Sequence, residues 1–486
     1  MGKLDQRARE ESVERSQRGP STFAVWPVVV IIAVKAALTL AVAGRYGWHQ
    51  DELYYAVAGH HLQGGYVEFP PVTALVAALA RVLFGQSLVG LRAFTVLAAA
   101  GTVLVAALVA RDLGGTRRAQ TLAAFLVAFA PGALATNWLF QPVVFDQLAT
   151  VVVLWVALRL ALGGGSWLLL GLAAGIGLET KYTIAVVLVL LIATFLVWRR
   201  DVLRTWGFPL AIAIAAILLV PNLVWEAGHG WTSVHFFVNP PPSGSDETRV
   251  QFIVNLVLLG AVAVPVAVAG AVSLVRDRAL RPLGWTLVGT VVAFFLLGGK
   301  SYYALPVVLF ALAAGSLPLD RWLTRRRLWI AAGAFVIVDL LILPILLPVL
   351  PLDTANRLGV ISARGDYQSE IGWPEYVRQV EQAARGSDVV LASNYGEACA
   401  LLLFGHGLPP VASPQVTMQY WRPHVTGQEA VVIGYGRRAA PFCATYRLLG
   451  TISTPKGSDK RGEPIARCTL SGTLAHLWPG IVAASD

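Results

Sequence analysis

Long stretches of this 486-residue chain carry apolar side chains without alternation, and short arginine-bearing segments separate them. Apolar runs at 22–43, 87–110, 119–134, 144–162, 167–179, 183–198, 207–225, 249–274, 284–299, 302–318 and 329–350 predict eleven helices. Many approach the roughly 20 residues that cross about 30 Å of hydrocarbon. Only helices or closed barrels satisfy their backbone in lipid, and unalternating runs of this length are helical. The run 72–84, which follows Pro70-Pro71, is too short to span and is predicted to lie along the interface.

After Pro351 the pattern changes to a mixed polar chain. A helix is predicted at 374–385, an apolar strand at 388–393, a helix at 396–405 and a strand at 429–435, which together read as a small α/β domain. Cys399, Cys443 and Cys468 all lie there. They are compatible with one disulfide in an oxidising compartment and one leftover thiol, with the pairing open.

Composition agrees with the pattern. At 56% hydrophobic and 14% charged residues the chain is too apolar for a soluble protein, whose apolar share is about 45–50%. The net charge of +10 comes from arginines clustered between apolar runs, as topology signals are, so no nucleic-acid partner is indicated. With a cytoplasmic N-terminus, Arg111, Arg117 and Arg118, then Arg159, then Arg199, Arg200 and Arg204 fall on inner loops. Arg276, Arg278 and Arg281, then Arg321 and Arg325–Arg327, continue the register. An odd number of spans then places the Asp51-Glu52 loop and residues 351–486 outside a plasma (inner) membrane. Residues 1–21 read as an uncleaved cytoplasmic tail. The outer loop 226–250 contains Pro240-Pro241-Pro242-Ser243-Gly244-Ser245, a flexible composition suited to covering a substrate. The expected architecture is an all-α polytopic membrane bundle of about 11 transmembrane helices over 22–350, with its first outer loop at 44–86. A small extracytoplasmic α/β domain follows over 351–486.

The candidate chemistry gathers at the outer ends of the spans. Asp51 and Glu52 follow the first span in Gly47-Trp48-His49-Gln50-Asp51-Glu52-Leu53-Tyr54-Tyr55. On a helix they point about 100° apart, so one acts on a reacting atom and the other supports it. A carboxylate that takes a proton from a hydroxyl works best where burial and a second acid bring its pKa toward the working pH. Lysine occurs only six times, yet Lys181 and Lys300 sit at outer span ends, in Glu179-Thr180-Lys181-Tyr182-Thr183 and Lys300-Ser301-Tyr302-Tyr303. Snorkelling explains either one alone; together, cations with phenolic donors suit a phosphate or diphosphate at the membrane surface, with Arg92 as a further candidate. Asp146 opens the fourth span, where it suits either the helix dipole or a sugar hydroxyl. His49, His60 and His61 read as hydrogen-bonding residues rather than metal ligands. There is no metal-ligand spacing, phosphate loop or dinucleotide fingerprint. No cofactor is called for; a divalent cation is left open.

These residues occur in an order that resembles the membrane type C glycosyltransferases: apolar span, Asp-Glu-x-Tyr-Tyr at 51–55, Phe69-Pro70-Pro71, Gly-Leu-Arg at 90–92, Asp146, Thr-Lys-Tyr-Thr at 180–183 and Lys-x-Tyr-Tyr at 300–303. The branch with dolichyl-phosphate-mannose protein mannosyltransferases and lipid A aminoarabinose transferases is most similar, over roughly residues 20–320. The resemblance implies transfer of one sugar from a polyprenyl-phosphate donor to a cell-envelope glycan, lipid or protein outside the membrane, with inversion. It implies Asp51 as the general base, supported by Glu52, and a pocket shaped by Tyr54 and Tyr55. It further implies a phosphate site at Lys181, Lys300, Tyr302 and Tyr303, with His49, Glu68, Arg92, Asp146 and Tyr182 as further substrate contacts. One departure is clear: this chain has Glu68-Phe69-Pro70 where the aminoarabinose branch tends to carry Glu-Lys-Pro, and so lacks a cation there. Asn394-Tyr395-Gly396-Glu397-Ala398 and Tyr420-Trp421 look like the accessory domain of bacterial members.

Two other classes compete. A transporter or flippase of a lipid-linked anion predicts polar residues at the bilayer midplane on broken helices, and only Lys35, which a snorkelling side chain explains, meets that description. A catalytically silent scaffold keeps the fold and discards the chemistry.

Overall fold

A computed structural model describes residues 22–238 and 247–483. The tail 1–21 and the proline-rich stretch 240–245 lie outside the described residues. All eleven apolar runs are helical, but they differ in length. Six helical stretches are long and apolar enough to cross a membrane: Val25–Val42, Leu88–Asp112, Pro142–Ala161, Gly207–Gly228, Arg249–Arg276 and Ser301–Trp322. Several others are shorter, such as Trp167–Leu178 and Ile184–Trp198, so among the described residues length and composition alone support six of the eleven expected spans.

Proline sets one of these limits. The run 119–134 splits into Arg117–Phe129 and Pro131–Thr136, with Ala130 between them at φ −54° and ψ 132°. A residue before proline is pushed out of the α region, and this break is the direct result. Lys35 uses the broken end. Its ammonium group is buried and donates to the Ala128 carbonyl at 2.8 Å and to Asn137 Oδ1 at 2.9 Å. The snorkelling expected of Lys35 is therefore wrong: a carbonyl at the end of Arg117–Phe129 and a buried amide give it partners inside the bundle.

Small residues let the bundle close. A Cβ on Gly270 would lie 2.0 Å from the Ala311 carbonyl oxygen, and one on Gly315 2.0 Å from that of Val266. Helices Val264–Arg276 and Leu305–Trp322 thus touch backbone to backbone, the close approach that small residues permit in membranes. The predicted interfacial run forms Val72–Phe84, with Ala74, Ala77, Ala78 and Ala80 buried and Leu75, Leu79, Val82, Leu83 and Phe84 exposed.

The C-terminal part is α/β. Strands β1 (Val389–Ala392), β2 (Val411–Ala412), β3 (Glu429–Ile433), β4 (Cys443–Thr451) and β5 (Pro464–Leu470) form one sheet in the order β2-β1-β3-β5-β4. The first three are parallel and the last two antiparallel. The predicted helices are present as Trp373–Ala383 and Tyr395–Phe404; β2, β4 and β5 were not foreseen. Cys443 and Cys468 form a disulfide between β4 and β5, and Cys399 is a buried free thiol.

One apolar core joins this domain to the loop after Val25–Val42. Leu53, Tyr54, Tyr55, Tyr66 and Phe69 share it with Trp373, Tyr376, Cys399, Met418 and Ile433. Hydrogen bonds cross the same boundary, from Trp373 Nε1 to the Trp48 carbonyl at 2.8 Å and from the Val67 amide to Thr417 Oγ1 at 2.8 Å.

Candidate active site

The first outer loop turns sharply after Val25–Val42. Gly47, at φ +119°, takes the left-handed bend, and a Cβ there would stand 2.7 Å from the Glu370 carbonyl oxygen, so only glycine fits. His49 then caps helix Gln50–Ala58. Its Nδ1 accepts from the Asp51 amide at 3.1 Å, while the Glu52 carboxylate accepts from the His49 amide at 2.9 Å, a capping box with histidine in the serine position.

This cap sends the two acids apart. Glu52 is fully buried, paired side-on with Arg92 through Nε at 2.8 Å and Nη2 at 2.7 Å. The Phe140 amide donates to its Oε1 at 2.8 Å. Arg92, also fully buried, spends its other N–H groups on the Ala43 carbonyl at 2.8 Å and the Gly47 carbonyl at 3.1 Å. Glu370 is 3.7 Å from the same guanidinium, and burial pushes its carboxyl well above the usual range against the pull of Arg92. Asp51 instead keeps 26% of its side-chain surface exposed. Its Oδ1 accepts from the Tyr395 hydroxyl at 2.5 Å and its Oδ2 from Gln141 Nε2 at 3.3 Å.

Lys181 is the cation on which Asp51 acts. Lys181, in the turn between Trp167–Leu178 and Ile184–Trp198, places Nζ 5.0 Å from the Tyr302 ring centre and 4.7 Å from that of Tyr303. Burial lowers its pKa to about 8; Asp146 and Asp51 oppose the shift and Lys300 adds to it, so these four charges share one field. Asp146 accepts from Thr183 Oγ1 at 3.2 Å. Lys300 also acts on Asp366, whose carboxyl burial would raise but which Arg364, His49 and Lys300 bring below its usual value. Tyr182 turns aside, its hydroxyl paired with Asn222 at 3.0–3.2 Å.

The tyrosines and Glu68 complete the wall. Tyr54 donates to Glu68 Oε2 at 2.8 Å and accepts from the Thr417 amide at 3.2 Å. Glu68 Oε1 is buried without a hydrogen-bond partner, and burial raises this carboxyl to about 8 despite the donors Tyr54 and Thr417. Tyr55 packs edge-on against Phe69 at 4.9 Å, within the fields of Asp51, Glu68 and Tyr302. The predicted residues Asp51, Tyr54, Tyr55, Glu68, Asp146, Lys181, Lys300, Tyr302 and Tyr303 therefore surround one region. Glu52 and Arg92 lie behind it, and His49 at its edge. Gln141, Asp366, Tyr395 and Thr417 were missed as site residues; the Asn394–Ala398 motif was the one signal that pointed to any of them. Among the described residues, no group of three or more His, Cys, Asp or Glu is spaced to hold a metal ion.

Residues 68–225 match the family model described as dolichyl-phosphate-mannose-protein mannosyltransferase. Undecaprenyl phosphate-alpha-4-amino-4-deoxy-L-arabinose arabinosyl transferase 2 of Pseudomonas fluorescens is 28% identical over 334 residues, 61% of this chain and 60% of that protein. The crystal structure of ArnT from Cupriavidus metallidurans in the apo state shares the fold, with a TM-score of 0.64 and 17% identity over 90% of this chain and 97% of that one. This chain is a relative of the type C membrane glycosyltransferases. A second structure of the same ArnT, bound to undecaprenyl phosphate, superposes with a TM-score of 0.63 at 16% identity, covering 90% of this chain and 97% of that one. The match to the Pseudomonas fluorescens transferase thus spans under two thirds of that relative's length, and the type C resemblance is broadest at the level of fold.

Proposed function

We propose that the chain transfers a single sugar from a polyprenyl-phosphate donor to a hydroxyl of an envelope glycan, lipid or protein, at the outer face of the plasma membrane and with inversion. The acceptor oxygen attacks the anomeric carbon, Asp51 takes the hydroxyl proton, and the bond from the anomeric carbon to the phosphate oxygen breaks with its electron pair. The leaving polyprenyl phosphate is held by Lys181 and Lys300 with the phenols of Tyr302 and Tyr303. In this scheme Glu52 and Arg92 fix the helix that carries Asp51, while Glu68, Asp146, Tyr54 and Tyr55 line the sugar. One observation carries the reading: the part-exposed Asp51 carboxylate and Lys300 both act on the charge of Lys181, so a base and two candidate phosphate-binding cations are gathered near one another, as displacement needs.

Other observations support parts of it. The disulfide between Cys443 and Cys468 suits an oxidising, extracytoplasmic location for residues 351–486, and the arginine register suits eleven crossings. The names of the relatives favour undecaprenyl phosphate as the carrier. The transporter reading keeps Lys35 at the Pro131 break, but the Ala128 carbonyl and Asn137 already hold its ammonium group.

The test is Asp51→Asn in purified protein offered a panel of undecaprenyl-phosphate-linked sugars, with release of undecaprenyl phosphate followed in the presence of extracted envelope acceptors. Loss of a general base predicts a fall of roughly 100-fold to 10,000-fold. Turnover at the original rate would remove Asp51 from the chemistry, and no turnover of any donor by the unaltered protein would remove the activity.

A further inference from the structure

Of the C-terminal side chains at the site, Tyr395 is the one hydrogen-bonded to Asp51 among the described residues. Helix Tyr395–Phe404 begins directly over helix Gln50–Ala58, and its first residue donates a 2.5 Å hydrogen bond to Asp51 Oδ1 across 344 positions of sequence. Three features hold it there. Asn394 caps the helix, accepting from the Gly396 amide at 2.7 Å and the Glu397 amide at 3.4 Å. Gln415 Oε1 accepts from the Tyr395 amide at 3.1 Å. Gly396 lies so close to the first loop that a Cβ would stand 2.6 Å from the Gln50 Cβ, so the missing side chain is what lets the phenol come within reach. Burial, and then the Asp51 charge, raise the Tyr395 pKa well above its usual value, which keeps its proton on and its role that of a donor.

Asp51 would otherwise rotate freely about its side-chain bonds at a partly exposed position. With Oδ1 tied to Tyr395 and Oδ2 3.3 Å from Gln141, both ends of the carboxylate are fixed by groups outside its own helix. We propose that Tyr395 is a positioning residue for Asp51, so that the α/β domain completes the active site and the membrane bundle alone does not contain it. This inference rests on the assignment of Asp51 as the base. The phenol fixes the carboxylate that accepts the proton. Its removal therefore lowers the rate of the chemical step while leaving donor binding in place.

The experiment uses the full-length protein and the undecaprenyl-phosphate-linked sugar that the unaltered chain turns over. Tyr395→Phe keeps the ring packed against Tyr54, at 5.3 Å between centres, and deletes only the hydroxyl. The expected result is a kcat lower by roughly tenfold to a hundredfold, the worth of a hydrogen bond to a charged group, with KM for the donor changed less than threefold. A second variant, Gly396→Ala, keeps the phenol in the chain but pushes its helix off Gln50, and should reproduce the loss of kcat. A merely structural role for Tyr395 would lower the fraction of protein that binds donor and leave kcat per donor-binding site unchanged, and that result overturns the inference. So does an unchanged kcat in Tyr395→Phe while Asp51→Asn is inactive, which leaves the base assignment standing. Full activity in Asp51→Asn overturns the base assignment and this inference with it.

Discussion

Arg92→Leu removes four hydrogen bonds from a site with no access to water: two to Glu52, one to the Ala43 carbonyl and one to the Gly47 carbonyl. What remains is a buried Glu52 carboxylate without its countercharge. Breaking one half of a buried ion pair costs about 3–5 kcal/mol. Glu52 keeps the amides of His49 and Phe140, which offset part of this, so the expected loss is about 3–4 kcal/mol. Against a total stability of about 5–15 kcal/mol that is a large share. Equilibrium unfolding in detergent micelles, followed by tryptophan fluorescence, measures it. A double variant, Glu52→Gln with Arg92→Leu, should cost less than the two single changes summed, since neither leaves an unpaired charge behind. If Arg92→Leu unfolds with the unaltered protein but loses affinity for undecaprenyl phosphate, the ion pair is not a structural clamp, and Arg92 is the carrier ligand that its sequence position first suggested.

Two predictions concern pH. Lys181 titrates at about 8 in the folded chain, so undecaprenyl phosphate should bind more weakly as pH rises through about 8, and Lys181→Met should bind weakly at every pH; isothermal titration across pH 6.5–9.5 is the check, and a flat profile for the unaltered protein refutes it. Glu68 couples pH to folding rather than to binding. Burial raises it in the folded state to about 8, above its ordinary value of 4.5, so between these limits the folded state holds a proton that the unfolded state has released. Stability contributed at this position is full below about 4.5 and declines as pH rises toward about 8. Glu68→Gln should flatten that decline in thermal unfolding, and an equally steep decline in the variant would show that another group causes it.

Much of the membrane-side site was legible because ionisable residues at the ends of apolar runs have few structural reasons to be there. Asp51, Lys181 and Lys300 stood out on that ground alone. The pairing of Glu52 with Arg92 was not read, although a guanidinium inside an apolar run demands a buried acid, and Glu52 was the nearest unexplained one. Tyr395, Thr417, Gln141 and Asp366 are ordinary polar residues in ordinary surroundings, and their importance comes from contacts made across most of the chain. Lys35 was misread for a similar reason: its partners depend on the break at Pro131, which frees backbone carbonyls only once the helices have packed. The eleven helical runs were found, and the short ones were short in the sequence too: 167–179 forms Trp167–Leu178 and 183–198 forms Ile184–Trp198.

The core shared by the first loop and the C-terminal domain also orders the assembly of the protein in time. Leu53, Tyr54, Tyr55 and Tyr66 are made before the bundle, but their partners Trp373, Tyr376, Met418 and Ile433 are made after it. Until then the loop bearing Asp51 has an apolar surface that Leu91 and Phe140 cover only in part. Its partners lie more than 300 residues downstream, so the loop-closure cost is met only after nearly the whole bundle exists. A truncated or stalled chain would therefore insert its spans and still present an unfinished, aggregation-prone first loop, which makes the C-terminal domain a checkpoint on completion as well as a neighbour of the site.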